Sequence, residues 1–357
     1  MMEIKSDCRH FKGDRPCVPH KERGVHCDNC SSYIPIDGRI LIIKLGQLGD
    51  VIRTTPILRK IWSLYPTKEV WWITNYPEAV PKAVDVILPF DSTGILPIMT
   101  MHFDWVMNLD KDREACALLN KVLAVNKSGF RLRDGKTYPE NEHAEDKYET
   151  GVWDDISKQN KKSYQQEIFE ICGWTFSGEE YIIDLEANQN LHFSGKHKIV
   201  GLNTGCGKRW WLTRLWRTEH WIKLGKELQE MGYIVLLLGG EQEHERNTEI
   251  ANRGGGQYIG YFPYSKFVSM VNQCDLVVTS VTTAMHIALG LGKKVVALNS
   301  IFNPHEFEHY NRLTTILPTK PCECYFEPVC KCDVFCMDTI SPQMVMAIIW
   351  GALKEKD

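Results

Sequence analysis

Asp50 stands in the run KLGQLGDVIRTTP, directly after two glycines, Gly46 and Gly49, and after the β-branched, apolar stretch Arg39 to Leu45. A strand that turns through glycines into a helix brings backbone close to a ligand and aims free amides at it. A carboxylate at this point can cap the helix, or it can accept a proton from a hydroxyl group. The two roles compete, because amide donors hold a capping carboxylate acidic. The pattern G-x-G-x-x-G is absent, so the loop carries no dinucleotide fingerprint. Three further segments have chemical potential. GLNTGCGKRWWLTRLW (201–216) follows a strand with Thr204, two glycines and a dense basic–aromatic run. It reads either as a solvated loop anchored by its tryptophans or as a diphosphate clamp in which Lys208, Arg209 or Arg214 meets developing negative charge. GGEQEHE (239–245) puts Gly240, Glu241 and Glu243 at a helix start, where acidic side chains are favoured by the dipole alone. SVTTAMH (280–286) sits between a strand and a helix. There the amides of Thr282, Thr283, Ala284 and Met285 form an anion site, while His286 is a core histidine or a ligand contact.

Cysteine is the other signal. Of 13 cysteines, Cys8, Cys17, Cys27 and Cys30 crowd one end and Cys322, Cys324, Cys330, Cys332 and Cys336 the other, leaving Cys116, Cys172, Cys206 and Cys274 between them. The spacings are C-x8-C-x9-C-x2-C, with His10, His20 and His26 nearby, and C-x-C-x5-C-x-C-x3-C. A long chain without an export signal is a poor candidate for a disulfide scaffold, so the clusters read as metal ligands. Thiolate sets suit zinc, or iron with sulfide, and a closed set leaves no open coordination position. The metal is therefore expected to be structural, and no catalytic metal is expected.

These residues need elements to hold them. Strand-like and helical runs alternate: strands at 39–45, 70–74, 85–90, 103–109 and 128–132, with helices from Asp50 to about 65 and near 112–124. Residues 134–160 are polar and aperiodic and read as an excursion, followed by a helix around 161–173. The rhythm restarts with strands at 199–203, 233–240, 257–261, 275–280, 293–300 and 313–319, interleaved with helices near 218–231, 242–253, 264–273 and 283–291. An amphipathic segment from Ser341 ends the chain. Such alternation implies parallel sheets covered on both faces, with ligands at the carboxyl ends of strands. The 357 residues, 43% hydrophobic and 24% charged, allow about two domains, and a net charge of −3 argues against a general nucleic-acid partner. No run approaches a membrane span, and the N-terminus lacks the apolar stretch of a signal peptide, so the expectation is a cytoplasmic protein.

ILIIKLGQLGDVIRTTPILRKIWSLYP resembles the opening of glycosyltransferase family 9, the ADP-heptose heptosyltransferases. The similarity continues through GLNTGCGKRWW, LLLGGEQEHE and CDLVVTSVTTAMHIALGLGKKVVALN, from about Arg39 to Ser300. The resemblance implies a GT-B fold, two Rossmann-like doubly wound domains facing a cleft, with Cys-rich metal-binding segments at both ends. The expected division is 1–36, a Cys-rich segment; 37–190, the acceptor domain; 191–320, the nucleotide-sugar domain; and 321–357, a Cys-rich segment and a final helix crossing back to the first domain. It implies Asp50 as the base, a basic residue before a Trp (Lys208 or Arg214) on the diphosphate, and Glu241 or Glu243 on the ribose. Val281 and Thr283 replace the Asp and Gly of the family pattern Asp-Thr-Gly-Pro-x-His, and that Asp holds the donor sugar. The C-terminal cysteines resemble those of the autotransporter heptosyltransferases, a branch that glycosylates proteins and can hold iron. The function implied is inverting transfer of a heptose from ADP-heptose to a hydroxyl of a lipopolysaccharide-type glycan or a protein. The chain would act without a transmembrane segment and with a homo-oligomer as an option. The rival readings are a non-catalytic sugar-nucleotide-binding protein on the same scaffold and a metal-cluster redox protein.

Overall fold

The computed structural model describes residues 3–186, 197–207, 211–320 and 323–354, the side chains of 211 and 212 aside. Backbone packing groups them into two units, one of Met1–Gln47, Ile57–Tyr148 and Ile168–Thr175, the other of Leu48–Pro56, Glu149–Glu167 and Phe176–Asp357.

In the first unit, β1 (Arg39–Ile43), β2 (Glu69–Thr74), β3 (Val86–Pro89), β4 (His102–Asn108), β5 (Leu123–Arg133) and β6 (Lys136–Pro139) form one sheet of order β3-β2-β1-β4-β5-β6. All pairings are parallel except β5 with β6. Ile40 to Ile43 of β1 are buried, as a strand covered on both faces requires, and Leu41, Ile43, Ile73, Val106, Leu118 and Leu119 form a core. Strand order reverses direction at β1, whose neighbours are β2 and β4, and a crevice opens at their carboxyl ends. Residues 134–160, read above as an irregular excursion, begin instead with a hairpin. Asp134 and Gly135 both have positive φ (49° and 73°), the geometry of an Asp-Gly turn that matches strand twist.

In the second unit, β7 (Ile199–Asn203), β8 (Ile234–Leu238), β9 (Leu276–Ser280), β10 (Lys294–Leu298) and β11 (Leu313–Ile316) form an all-parallel sheet of order β11-β10-β9-β7-β8. Its core joins Val200, Leu202, Trp221, Leu224, Leu228 and Val278. The expected strand at 257–261 is a single bridge, Gln257 beside Leu236, because Gly256 and Gly260 at positive φ and Pro263 interrupt it.

The final helix, Pro342–Lys354, does not follow its expected course. Val345, Ile349 and Leu353 belong to the core of the second unit, and the carbonyls of Ala352 and Leu353 accept from the ammonium groups of Lys294 and Lys198. Its apolar face is thus buried on the second unit's own core. The helix expected from Asp50 onward is two helices, Leu48–Thr54 and Pro56–Leu64. Pro56 has no N–H for the Ile52 carbonyl, which takes the amide and hydroxyl of Thr55 at 3.0 and 2.7 Å instead.

Candidate active site

The loop leaving β1 is shaped by a residue the sequence reading passed over. Asp110, just past β4, accepts from the backbone amides of Leu45 and Gly46 (2.7 Å to Gly46) and pairs with the Lys44 ammonium at 2.5 Å. The pair is almost fully buried, so charge-assisted bonds offset its desolvation and fix the Gly46 turn. Beside it, Gly46, Gln47, Asn75, Tyr76, Asp112 and Glu114 line a groove of about 300 Å³ at the carboxyl ends of the first sheet.

Asp50 lies in the first turn of helix Leu48–Thr54 and is no N-cap; its side chain is 32% exposed. One turn on, Arg53 forms an ion pair with it (Nε to Oδ1, 2.9 Å) and with Glu306 (2.8 Å). The Arg53 guanidinium lies 3.8 Å over the Tyr164 ring. Burial alone would lower its pKa, but Asp50 and Glu306 outweigh burial and raise it. Thr54 Oγ1 donates to the Asp50 carbonyl (2.7 Å) and meets the Tyr164 hydroxyl at 3.1 Å. Gln165 donates to the Arg53 carbonyl (3.2 Å) and to the Tyr181 hydroxyl (2.8 Å), which stands 3.4 Å from Nδ1 of His286. Gly49 packs against helix Thr283–Gly290, where a Cβ would stand 3.0 Å from the His286 ring and 3.5 Å from the Thr283 hydroxyl. Two of the sequence segments thus meet. His286 is buried and its pKa is pushed down to about 3, first by burial and then by Arg53, with Asp50 opposing. At neutral pH it is an uncharged ring holding a hydrogen-bond chain.

At the ends of β7, β8 and β9 the remaining candidates gather. Thr282 precedes helix Thr283–Gly290, but its hydroxyl is engaged by Asn203 (3.3 Å) and Thr279 (3.0 Å), and no side chain caps the helix. The first amides of that helix, at Thr283 and Ala284, therefore face the strand end uncapped, while Met285 donates back to the Thr282 carbonyl. Arg214 is buried, donates to the Val281 carbonyl and lies 4.8 Å over Phe302. Among the described residues no carboxylate pairs with it. Burial pulls its pKa down to about 10, against the opposing pull of Cys206, so it stays cationic at neutral pH. Thr204 is held by Asn247 (2.6 Å) and by Arg246 at its carbonyl (3.0 Å). Glu243 turns back to accept from the Gly240 amide (2.9 Å) and fills the space beside Gly205, whereas Glu241 is exposed. Lys208 and Arg209 lie outside the described residues.

Of the C-terminal cysteines, Cys322 lies outside the described residues. The ligand atoms of Cys324, Cys330, Cys332 and Cys336 lie within 4.8 Å of one another. Three of their sulfur–sulfur separations are 3.5, 3.7 and 3.9 Å. Four sulfurs each about 2.3 Å from a common centre stand about 3.8 Å apart at the corners of a tetrahedron, so the set fits zinc or iron. The amide of Lys331 donates to Cys324 Sγ at 3.1 Å, as thiolates require. Burial would raise the Cys330 pKa, but donors from Cys336, Cys332 and Cys324 lower it. Cys8, Cys17, Cys27 and Cys30 line one small cavity of the first unit, but stand wider apart than this set.

Residues 177–334 match the model of glycosyltransferase family 9 (heptosyltransferase). The lipopolysaccharide core heptosyltransferase OpsX of Haemophilus influenzae is 20% identical over 299 residues, 78% of this chain and 83% of OpsX. The structure of the E. coli ADP-heptose lipopolysaccharide heptosyltransferase II superposes with a TM-score of 0.64 at 16% identity, covering 88% of this chain and 98% of that one. The iron-containing dodecameric glycosyltransferase TibC of enterotoxigenic E. coli superposes with a TM-score of 0.53 at 13% identity, covering 89% and 77%. Two parallel-sheet α/β units of this kind make the GT-B fold. With a family-model match over residues 177–334, an anion-ready helix end beside a buried arginine, and a carboxylate fixed in the first turn of helix Leu48–Thr54, the chain is similar to the heptosyltransferases of glycosyltransferase family 9.

Proposed function

We propose that this enzyme transfers a heptose from ADP-heptose to a hydroxyl of a lipopolysaccharide-type glycan, with inversion at the anomeric carbon. The observation that carries the reading is Asp50, partly exposed and locked by Arg53, which Glu306 locks in turn. The ion pair with Arg53 fixes one carboxylate oxygen, so the side chain is held in one orientation from which it can accept the acceptor's proton. In a single displacement the acceptor oxygen bonds to the anomeric carbon as its proton passes to Asp50. The bond from that carbon to the diphosphate oxygen breaks with its electron pair on ADP. Arg214 and the first amides of helix Thr283–Gly290 neutralise the leaving diphosphate. Arg214 takes the role left open between it and Lys208, because it is a buried cation with no carboxylate partner among the described residues. Glu243, turned toward the β7 and β8 loops, serves the nucleotide side. ADP-heptose and the lipopolysaccharide acceptor are drawn from the names of the similar enzymes.

The thiolate set Cys324, Cys330, Cys332 and Cys336 would hold a zinc or iron ion that staples its loop and takes no part in transfer. The expected result for Asp50→Asn is a fall in kcat of about a hundredfold or more, with ADP affinity by calorimetry within about twofold of wild type. Unchanged turnover would remove Asp50 as the base. Preference for UDP or GDP over ADP would keep the transferase and discard the heptose.

A further inference from the structure

Residues 3–36 fold without a core of their own, for Pro19 is the one buried residue among them. Their ends are tied to each other and, through Arg9, to the rest of the first unit. Cys8 bridges Pro35, the Arg9 amide donates to Ile34 (2.8 Å), the Ile36 amide donates to Asp7 (2.7 Å), and the Arg9 guanidinium pairs with Asp85 at 2.6 Å. Among the described residues the contacts of the middle, residues 11–30, stay within the segment, as with Arg23 on Ser31 and Ser32, and this stretch is short, polar and mostly exposed. A segment of this size without apolar burial needs a staple, and metals and disulfides are the usual ones.

The staple chemistry this segment offers is four free, half-buried thiols, all four lining the same cavity with His10 beside them. Each sits at a backbone turn. The carbonyls of Cys8, Cys17 and Cys30 accept from Phe11 (2.8 Å), Lys21 (3.0 Å) and Tyr33 (3.3 Å), and Cys27 opens a one-turn helix. The cavity, about 30 Å³, is completed by Lys5, His10, Phe11, Pro19, Val25 and Tyr33, so it offers an ion four sulfurs with one imidazole close by.

We propose that Cys8, Cys17, Cys27 and Cys30 bind a second metal ion, a zinc, distinct from the 324–336 set and independent of the glycosyl-transfer reading. The sulfurs stand farther apart than those at 324–336, and coordination about 2.3 Å from a shared centre would draw the turns together around the cavity. Four thiolates in a closed tetrahedron give a redox-silent, structural site, so the ion's role is to order residues 11–30.

The test uses the full chain, produced with added zinc and purified without chelator, with metal counted per chain by elemental analysis. If 324–336 also binds its ion, two ions are expected in the wild type. In Cys330→Ser/Cys332→Ser, zinc should remain at one per chain. In Cys330→Ser/Cys332→Ser combined with Cys27→Ser/Cys30→Ser, it should vanish. Trypsin supplies a second readout, because Lys12, Arg15, Lys21 and Arg23 are exposed. Cleavage there should accelerate about tenfold or more when Cys27 and Cys30 are replaced, while the thermal transitions of the two sheet units persist. Metal-free Cys330→Ser/Cys332→Ser protein, a disulfide among the four thiols, or iron in place of zinc would each overturn the proposal.

Discussion

At the residue scale, the carboxylate proposed as the base is positioned by a partner that no local reading finds. Asp50 and Arg53 are one helical turn apart, but the second anchor of Arg53, Glu306, lies 253 positions further along. Arg53→Lys keeps a charge and loses the fork that bridges both carboxylates. Its expected effect is a fall in kcat of about tenfold or more with ADP affinity unchanged, read by steady-state kinetics beside calorimetry. Equal kinetics in Arg53→Lys would show that charge alone suffices. His286 gives a stability test. Its folded pKa is about 3, against about 6.5 when unfolded, so below pH 6.5 the unfolded chain binds a proton that the folded chain does not. The stabilisation is complete above pH 6.5 and is lost as pH falls. Between pH 7 and pH 5 the wild type should therefore lose about 2 kcal/mol more than His286→Gln, read from urea midpoints at the two pH values. Parallel pH dependence in the two proteins would mean that His286 is charged in the fold.

At the element scale, the helix carrying Asp50 is short because Pro56 ends it, and it is close to helix Thr283–Gly290 because Gly49 has no side chain. Gly49→Ala would push a methyl to 3.0 Å from the His286 ring, tighter than an ordinary van der Waals contact. The expected cost is about 1 kcal/mol of stability, with kcat falling more than ADP affinity, since the shift is passed to Asp50. A thermal midpoint at or above that of wild type would show that the interface yields freely. Both features are written locally, as a glycine before the Asp and a proline six residues after it. The hairpin at Asp134-Gly135 is also local, and polar composition obscured it. The failed strand at 257–261 shows the converse, where β-branched and aromatic residues pass the pattern test and glycine dihedrals defeat it.

At the scale of the whole molecule, segments from three stretches of chain build the second unit, and its C-terminal cysteines are stitched to its core. Met337 and Ile340 are core residues, the Trp216 indole donates to the Ile340 carbonyl at 2.8 Å, and Arg217 pairs with Asp338. A metal at Cys324, Cys330, Cys332 and Cys336 would therefore stabilise more than its own loop. Cys332→Ser, or chelation, should lower the second unit's unfolding midpoint by about 5 °C or more in a calorimetric scan. An unchanged midpoint would leave the cluster as a surface ornament of thiols. Among the described residues no helix is long and apolar enough to cross a membrane.

The sequence by itself determined what depends on neighbours along the chain. Strand and helix periodicity specified two parallel α/β sheets, glycine and proline marked where the backbone turns, and clustered cysteines announced thiolate chemistry. Whether Asp50 caps its helix or sits within it was decided by the first turn starting at Leu48, a matter of tertiary packing against helix Thr283–Gly290. Only the tertiary structure could turn Glu243 onto the Gly240 amide and leave Glu241 exposed, show Arg214 as a buried cation, or bring Asp110 under the Gly46 loop and Glu306 onto Arg53. Those choices rest on burial and on charge pairs between residues far apart in the chain, and no periodicity encodes a distance through space.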